Sequence, residues 1–263
     1  MVLEKMVSVK TAIRNPLWVF AIGAVVSLAC LTVAYLVAIT SVGFFMSFLI
    51  TMTMVPFMLN LSRFDEARQE EWLKTGRPAG ILQRNGDVLK VYSAFFCGMI
   101  FSLSLLYFAL PDMYVERLFQ DQINEINVIR GSITFGGVFT KIVLNNISVM
   151  FISFIFSFIF GAGAIFILAW NASILSAAIG MAAKSIGGIS GLPLAVLMFF
   201  PHGSLEILAY FIGAIAGSFV SVAVTRRKSQ GFWLVAKDSF LLLMVSIVLL
   251  LIAGAIESVA IIG

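Results

Sequence analysis

The sequence contains no charged residue between Leu17 and Leu61. A helix that crosses the hydrocarbon layer of a bilayer needs about 20 consecutive, mostly apolar residues. The uncharged stretch is therefore too long for one crossing and has the right length for two, with a tight turn near Thr40 to Gly43. We expect a leading transmembrane hairpin here, so that residues 1–61 form a short tail followed by two membrane helices.

Composition extends this interpretation to the rest of the chain. Hydrophobic residues make up 61% of the 263 residues, charged residues only 11%, and the mean hydropathy is +1.07. Soluble domains carry about 25% charged residues, so we expect the lipid bilayer to be the main partner. The net charge of +4 comes from basic residues scattered at the ends of apolar runs, which argues against a nucleic-acid partner.

Five more apolar runs follow the hairpin, and one of them is interrupted. The runs are Val91 to Leu110, Val143 to Trp170, Ala172 to Phe200, Leu205 to Thr225 and Phe240 to Val259. The third of these contains Lys184 to Gly191 (KSIGGISG), whose three glycines make a continuous helix improbable. We therefore predict an all-α polytopic membrane protein with about seven transmembrane helices, one of them discontinuous. A re-entrant form of this segment is the alternative.

Orientation is predicted from lysine and arginine in the connecting loops. The loop from Ser62 to Lys90 holds six basic residues and carries turn signals at Gly76 to Gly80 and at Asn85-Gly86. The polar loop from Asp112 to Lys141 holds three. We predict a cytoplasmic N-terminus in the plasma membrane, a cytoplasmic loop at 62–90 and a membrane domain at 91–263.

Two ionisable residues lie four positions apart in the apolar part of the chain. His202 is the only histidine, and Glu206 follows it on what we expect to be a helix starting at Pro201. Residues four apart share a helix face, so the pair can share a proton or hold a cation. Ionisable groups inside a membrane are functional candidates by default. In the alternative interpretation, His202 caps a helix and Glu206 bonds a neighbouring backbone.

A second polar group lies on the predicted fourth span. Asn145 and Asn146 fall at about the same expected depth as Glu206, and we assign them to the same functional cluster. Ser153 and Ser157 follow on that span, and we interpret them as close-packing residues. Gly213 and Gly217 are also typical of close helix association, which makes a homodimer a reasonable expectation.

Enzyme motifs are mostly missing. The single histidine excludes a His-Glu-x-x-His zinc protease, and the chain has no phosphate-binding loop or dinucleotide fingerprint, so we expect neither a metal centre nor another cofactor. Gly188 to Gly191 matches the Gly-x-Ser-Gly loop of rhomboid-like intramembrane proteases, with Ser190 as nucleophile and His202 as base. We keep an intramembrane serine protease as a minor alternative and expect a protein that is not an enzyme.

The motifs resemble those of the stage II sporulation protein M family. They are Asn145-Asn146 on one span, Asn171 and Gly180 on the next, and Pro201-His202-Gly203 with Glu206 on a third. The resemblance covers about Val91 to the C-terminus and adds Asn171 to the candidate site. Here Asn171 precedes Ala172 where the family pattern has glycine, and the leading hairpin is extra to it. The resemblance implies a polytopic membrane protein, and we do not transfer the sporulation role.

The polar cluster beside the interrupted segment favours a membrane channel or transporter for a small ion. Its predicted polar path combines His202, Glu206, Asn145, Asn146 and Asn171. The loop at 112–141 holds four acids against three bases, which favours a cation. The competing hypothesis is a non-catalytic scaffold in which the cluster only locks helices together while the basic residues of Arg226 to Lys228 recruit partner proteins.

Overall fold

The computed structural model describes residues 8–262 except 39, 76–80, 131–134, 161–163, 188–189 and 226–228. Helices are the only regular elements in those ranges. They are α1 (Val9–Arg14), α2 (Pro16–Val37), α3 (Val42–Thr75), α4 (Ile81–Ala109), α5 (Asp112–Arg130), α6 (Phe135–Phe160), α7 (Ile165–Ile186), α8 (Gly191–Thr225) and α9 (Ser229–Ile262).

Seven of these helices are long and apolar enough to cross a membrane, namely α2, α3, α4, α6, α7, α8 and α9. Their outer surfaces expose large apolar side chains such as Leu36, Phe101 and Phe160. Such surface is compatible with lipid tails and unusual in water. The prediction of an all-α protein with about seven transmembrane helices is confirmed.

The glycine-rich interruption lies between two spans and not within one. α7 ends at Ile186, and Gly187 follows it with φ +95°, the left-handed conformation that commonly terminates a helix. α8 then runs without a break from Gly191 through Pro201 to Thr225. The segment Ala172 to Phe200 is thus not a single discontinuous crossing, because its first half belongs to α7 and its second half to α8.

The charged segment predicted as a loop at 62–90 is largely helical. α3 continues beyond its apolar part to Thr75, and α4 begins at Ile81. The turn predicted at Asn85-Gly86 is wrong, because both residues lie inside α4. The turn predicted at Gly76 to Gly80 lies outside the described residues.

Most of the polar segment from Asp112 is also helical, where a loop was expected. α5 buries Val115, Leu118, Phe119 and Ile126 on one side. Those residues recur at the helical spacing of three and four, so the helix has one apolar face and one polar face. This apolar face packs on the bundle, and the charged residues of the segment occupy the rest of the helix surface.

Two polar contacts determine how α5 lies along α7. Lys184 Nζ is 2.7 Å from Asp112 Oδ1, and Gln122 Nε2 donates to Ser173 Oγ at 3.1 Å. The two contact points on α7 are separated by about 16 Å at the helical rise per residue. α5 therefore runs antiparallel to α7 instead of pointing away from the bundle.

The leading hairpin is attached to the rest of the bundle through glycines. A Cβ atom at Gly23 of α2 would collide with the backbone carbonyl of Phe95, and one at Gly98 of α4 would collide with the carbonyl of Phe20. The missing side chains let the two helix backbones touch. α2 and α4 consequently pack in direct backbone contact.

Candidate functional site

A cleft of about 840 Å³ lies among α5, α6, α7, α8 and α9. Each of the five residues predicted for the polar path lines this one cleft: Asn145, Asn146, Asn171, His202 and Glu206. They come from three helices that are far apart in sequence. The structure thus brings the predicted site residues together at one place.

The centre of the site is a hydrogen-bonded chain that joins α6 to α8. Asn146 Nδ2 donates to Glu206 Oε1 at 2.6 Å, and Tyr210 Oη donates to Asn146 Oδ1 at 2.8 Å. Asn145 Nδ2 lies 3.4 Å from the same Asn146 oxygen. Asn146 and Tyr210 are buried. The side-chain amide of Asn146 therefore donates through Nδ2 and accepts through Oδ1.

Glu257 of α9 completes the site from a third direction. Its side chain is in hydrogen-bonding contact with that of Glu206, and both line the cleft. An ionised carboxylate can only accept hydrogen bonds, so a bond between two carboxyl groups requires a proton on one of them.

His202 contributes a polar atom without a partner. Its side chain is only 5% exposed, its ring centroid lies 5.5 Å from that of Phe199, and Nδ1 has no hydrogen-bond partner among the described residues. Leaving such a group unsatisfied costs about 1–3 kcal/mol. The interpretation of His202 as a helix cap is wrong, because the residue lies inside α8.

The predicted pairing of His202 with Glu206 is replaced by other contacts. The two residues do lie four apart on one helix, but the side-chain bonds of Glu206 go to Asn146 and Glu257. The imidazole and the carboxyl pair are thus neighbours in the lining without being bonded to each other.

Asn171 bonds within its own helix. Its Nδ2 donates to the carbonyl of Ile167 at 2.8 Å, while the side chain lines the cleft. α7 continues through Ala172, so the departure from the family pattern at that position produces no turn. The hydrogen bond that orients the Asn171 side chain is therefore to the backbone and not to another side chain of the predicted site.

Gly213 and Gly217 serve helix packing inside the chain. A Cβ at Gly213 would lie 2.8 Å from Met150 Cγ, and one at Gly217 would collide with the carbonyl oxygen of Phe154. Both glycines therefore pack against α6. They do not supply a surface for a second copy, and the homodimer remains a prediction without support from these two residues.

The two other motif glycines also act through packing. A Cβ at Gly180 would lie 2.6 Å from Tyr107 Cβ of α4, and one at Gly203 would lie 3.3 Å from Leu175 Cδ2 of α7. These glycines position the helices that carry the site. Pro201 lies inside α8 and is exposed.

Ser190 and His202 do not form a protease dyad. Ser190 is exposed immediately before α8 begins, and His202 lies buried well inside that helix. The helical rise places about 17 Å between them along the axis. Proton transfer from a serine to its base requires hydrogen-bond distance, so this pair is not a catalytic arrangement.

Sequence reasoning missed Tyr210, Glu257 and Glu125, all of which line the cleft. For Glu257 a signal was present, because it is an acid close to the end of the last apolar run, and the rule that singled out Glu206 applies to it equally. Tyr210 carries no comparable signal, because tyrosines are common in membrane helices.

Comparison with known families decides the relationship of the chain. The sequence model of the family described as Stage II sporulation protein M matches residues 91–260. The chain belongs to the stage II sporulation protein M family. This matched part of the sporulation protein M fold contains every polar residue of the cleft, whereas α1, α2 and α3 precede it. Neither a curated protein nor a solved structure gave a significant match.

Proposed function

We propose that this member of the stage II sporulation protein M family is a channel or transporter that moves a cation across the membrane. The cleft among α5 to α9 is its binding site. The observation that carries the proposal is the carboxyl pair of Glu206 and Glu257, which lies between membrane-spanning helices and lines a cavity.

The charge of the lining supports a cation over an anion. Glu125, Glu206 and Glu257 all line the cleft, and no lysine or arginine does so in the part of the chain that the structure describes. A cleft lined by one sign of charge between low-dielectric walls concentrates ions of the opposite sign. Acidic groups inside membrane helices also commonly mark ion or proton pathways.

The proposal is tested by flux in liposomes that contain the purified full-length protein. Potassium, sodium and proton gradients are applied, and ion movement is followed with potential-sensitive and pH-sensitive dyes. The Glu206→Gln and Glu257→Gln variants should lower the protein-dependent flux by about tenfold or more, because each removes a charge at the binding site.

Glu116→Gln is the matched control. Glu116 is an exposed acid of α5 that does not line the cleft, so its replacement changes the same charge at a distant place. Its flux should equal that of the unmodified protein. Flux no greater than in protein-free liposomes, or equal flux for Glu206→Gln and Glu116→Gln, would refute the transport proposal.

A membrane scaffold is the second candidate, and the network through Asn146 favours it. That network bonds α6 to α8 entirely within the chain, as a purely structural cluster would. A scaffold predicts that Glu206→Gln lowers the unfolding midpoint of the protein while all measured fluxes stay at the background. The basic residues of Arg226 to Lys228, proposed to recruit partners, lie outside the described residues.

We also propose that the N-terminus faces the cytoplasm of the cell and that the protein resides in the plasma membrane. The support is the distribution of lysine and arginine among the connecting segments. The loop at 62–90 would then lie inside. Reporter fusions placed after residue 75 and after residue 112 should show opposite sidedness, with the first inside the cell.

A further inference from the structure

The cleft is far larger than a bare ion requires. Its volume of about 840 Å³ falls in the range of about 300–1,000 Å³ that holds organic ligands. One water molecule occupies about 30 Å³ in the liquid. The space therefore fits a molecule of many atoms, or an ion only with a large amount of accompanying water.

The lining of the cleft combines apolar and polar side chains. Trp170, Ile174, Leu175 and Phe199 are among the apolar and aromatic ones. Glu206 is bonded to Asn146 and contacts Glu257, so these polar groups form one cluster. A mostly apolar cavity with a few polar groups is typical of a site that orients an organic molecule by one end.

The hydrogen-bond acceptors at the polar end are carboxyl oxygens. Glu206 and Glu257 both line the cleft, and their side chains are in contact. A primary ammonium group has three N–H donors and no acceptor, which matches a site built from carboxyl oxygens.

We propose that the cleft binds the primary ammonium group of an amphipathic organic amine, held by Glu206 and Glu257, with its apolar body against Trp170 and the other apolar side chains of the lining. Binding displaces the proton that the two carboxyl groups share. The ammonium brings one positive charge and one proton leaves to water, so the net charge of the occupied site is unchanged. The inference rests on the proposed function only for the location of the cation site.

Three other titratable groups line the cleft among the described residues. Glu125 belongs to α5, and His202 and Tyr210 lie on α8 together with Glu206. α6 and α7 contribute amide and apolar side chains to the lining. Proton release on amine binding is therefore assigned to the pair, and the neighbouring Glu125 is tested separately by its own glutamine variant.

The test uses the full-length protein in phosphatidylcholine nanodiscs and three probes of equal chain length. These are n-hexylammonium, n-hexanol and hexanoate, titrated by calorimetry against empty nanodiscs, with proton release followed by a pH dye in weak buffer. Hexylammonium should bind saturably and release about one proton per molecule, since the carboxyl pair then ionises fully beside the cation. Hexanol binding as tightly as hexylammonium, or binding without proton release, would overturn the proposal.

Variants locate the site. Glu206→Gln and Glu257→Gln should each weaken hexylammonium binding by about tenfold or more, because each removes a charged partner in a desolvated site. The hexylammonium affinity of Glu116→Gln should stay within about twofold of that of the unmodified protein. Glu125→Gln should still release about one proton per bound amine. Far-UV circular dichroism and elution volume establish that each variant is folded, and undiminished binding in both folded Glu206→Gln and Glu257→Gln would refute the assignment.

The same ammonium chemistry has a soluble and a lipid source, and the nanodisc lipid separates them. Hexylammonium binding that is weakened when phosphatidylethanolamine replaces part of the phosphatidylcholine indicates a lipid amine as the natural ligand. Binding that is unchanged indicates a soluble amine. Both results support the ammonium site.

Failure of this inference is distinguishable from failure of the transport proposal. Glu206-dependent potassium or sodium flux without amine binding would leave transport in place and refute the amine. Amine binding that depends on Glu206, without any flux, would retain the site and refute transport.

Discussion

The close contact of Gly217 with α6 predicts that a larger residue at this position destabilises the protein. A Cβ atom at Gly217 would lie 2.9 Å from the carbonyl carbon of Phe154 and 3.1 Å from its Cα, and closer still to the carbonyl oxygen. Ordinary van der Waals contact begins near 3.4 Å. The obstructing atoms are backbone atoms of a helix, so they cannot rotate aside as a side chain can. Gly217→Ala must therefore push α6 and α8 apart by roughly 0.5 Å or more at the crossing.

The expected cost follows from overpacking and helix propensity. Forcing an extra carbon into a well-packed contact costs typically about 1–3 kcal/mol. A gap of about 0.5–1 Å also removes a quarter to a half of the dispersion energy of the atoms that separate. Alanine favours the helix over glycine by up to about 1 kcal/mol, which offsets part of this. We expect Gly217→Ala to lower the free energy of unfolding by about 1–2 kcal/mol.

Gly86 provides the matched control. It also lies inside a helix, α4, but a Cβ there would meet no atom of the described residues within 4 Å. Gly86→Ala should gain only the helix propensity, so the free energy of unfolding should rise by about 0.4–1 kcal/mol. The same substitution thus has opposite signs at the two sites.

The measurement is unfolding by sodium dodecyl sulfate in dodecyl maltoside micelles, followed by tryptophan fluorescence and far-UV circular dichroism. The unfolding midpoint of Gly217→Ala should lie below that of the unmodified protein, and the midpoint of Gly86→Ala should lie at or above it. Equal midpoints for the two variants would show that α6 and α8 do not touch at Gly217 as described.

Three further predictions concern polar contacts. Asn146→Ala removes the donor to the Glu206 carboxyl group and the acceptor for the Tyr210 hydroxyl, so it should lower the free energy of unfolding by about 1–3 kcal/mol. Tyr210→Phe removes only one of these hydrogen bonds and should lower it by about 0.5–1.5 kcal/mol. Both are measured in the same detergent titration. Lys184→Met should destabilise more than Asp112→Asn, because Lys184 Nζ also donates to the backbone carbonyl of Leu110, just after α4, at 2.7 Å. The carboxylate of Asp112 is 84% exposed, and such exposed pairs contribute about 1 kcal/mol or less. A lower unfolding midpoint for Asp112→Asn than for Lys184→Met would contradict this. Ser190→Ala should leave the reactivity toward a fluorophosphonate probe and the ion flux unchanged, and a loss of labelling would revive a serine nucleophile at this position.

The number of spans could be predicted because the bilayer imposes a length on every apolar run. Their bounds could not, because hydropathy does not distinguish a glycine at a turn from one within a crossing. The run from Val143 was extended to Trp170, whereas α6 ends at Phe160. The run from Ala172 was extended across Gly187, where the chain leaves α7.

α5 was missed for a different reason. Its charges marked the segment as aqueous, although the spacing of Val115, Leu118, Phe119 and Ile126 is that of an amphipathic helix. A charge count measures only average polarity, whereas burial depends on which face the apolar side chains share. Periodicity was the available signal in this segment.

The sequence predicts those site residues that the rule for ionisable groups in membranes selects. Both His202 and Glu206 followed from that rule, and Asn146 followed from a polar pair at similar depth. The partners of Glu206 depend on how α6, α8 and α9 pack, which no local pattern encodes. This is why the pairing with Glu257 emerges only from the structure.

The glycine contact between α2 and α4 limits where the chain can be truncated. The family match begins at residue 91, within α4, yet the α4 surface at Gly98 is already covered by the backbone of α2. Removing the leading hairpin would expose a strip of bare backbone that neither lipid nor water accommodates as well as a second helix does. A fragment trimmed to the matched residues should therefore be expressed together with residues 8–75 as a separate polypeptide. We expect the unit that folds to include α2 together with the residues that the family model matches.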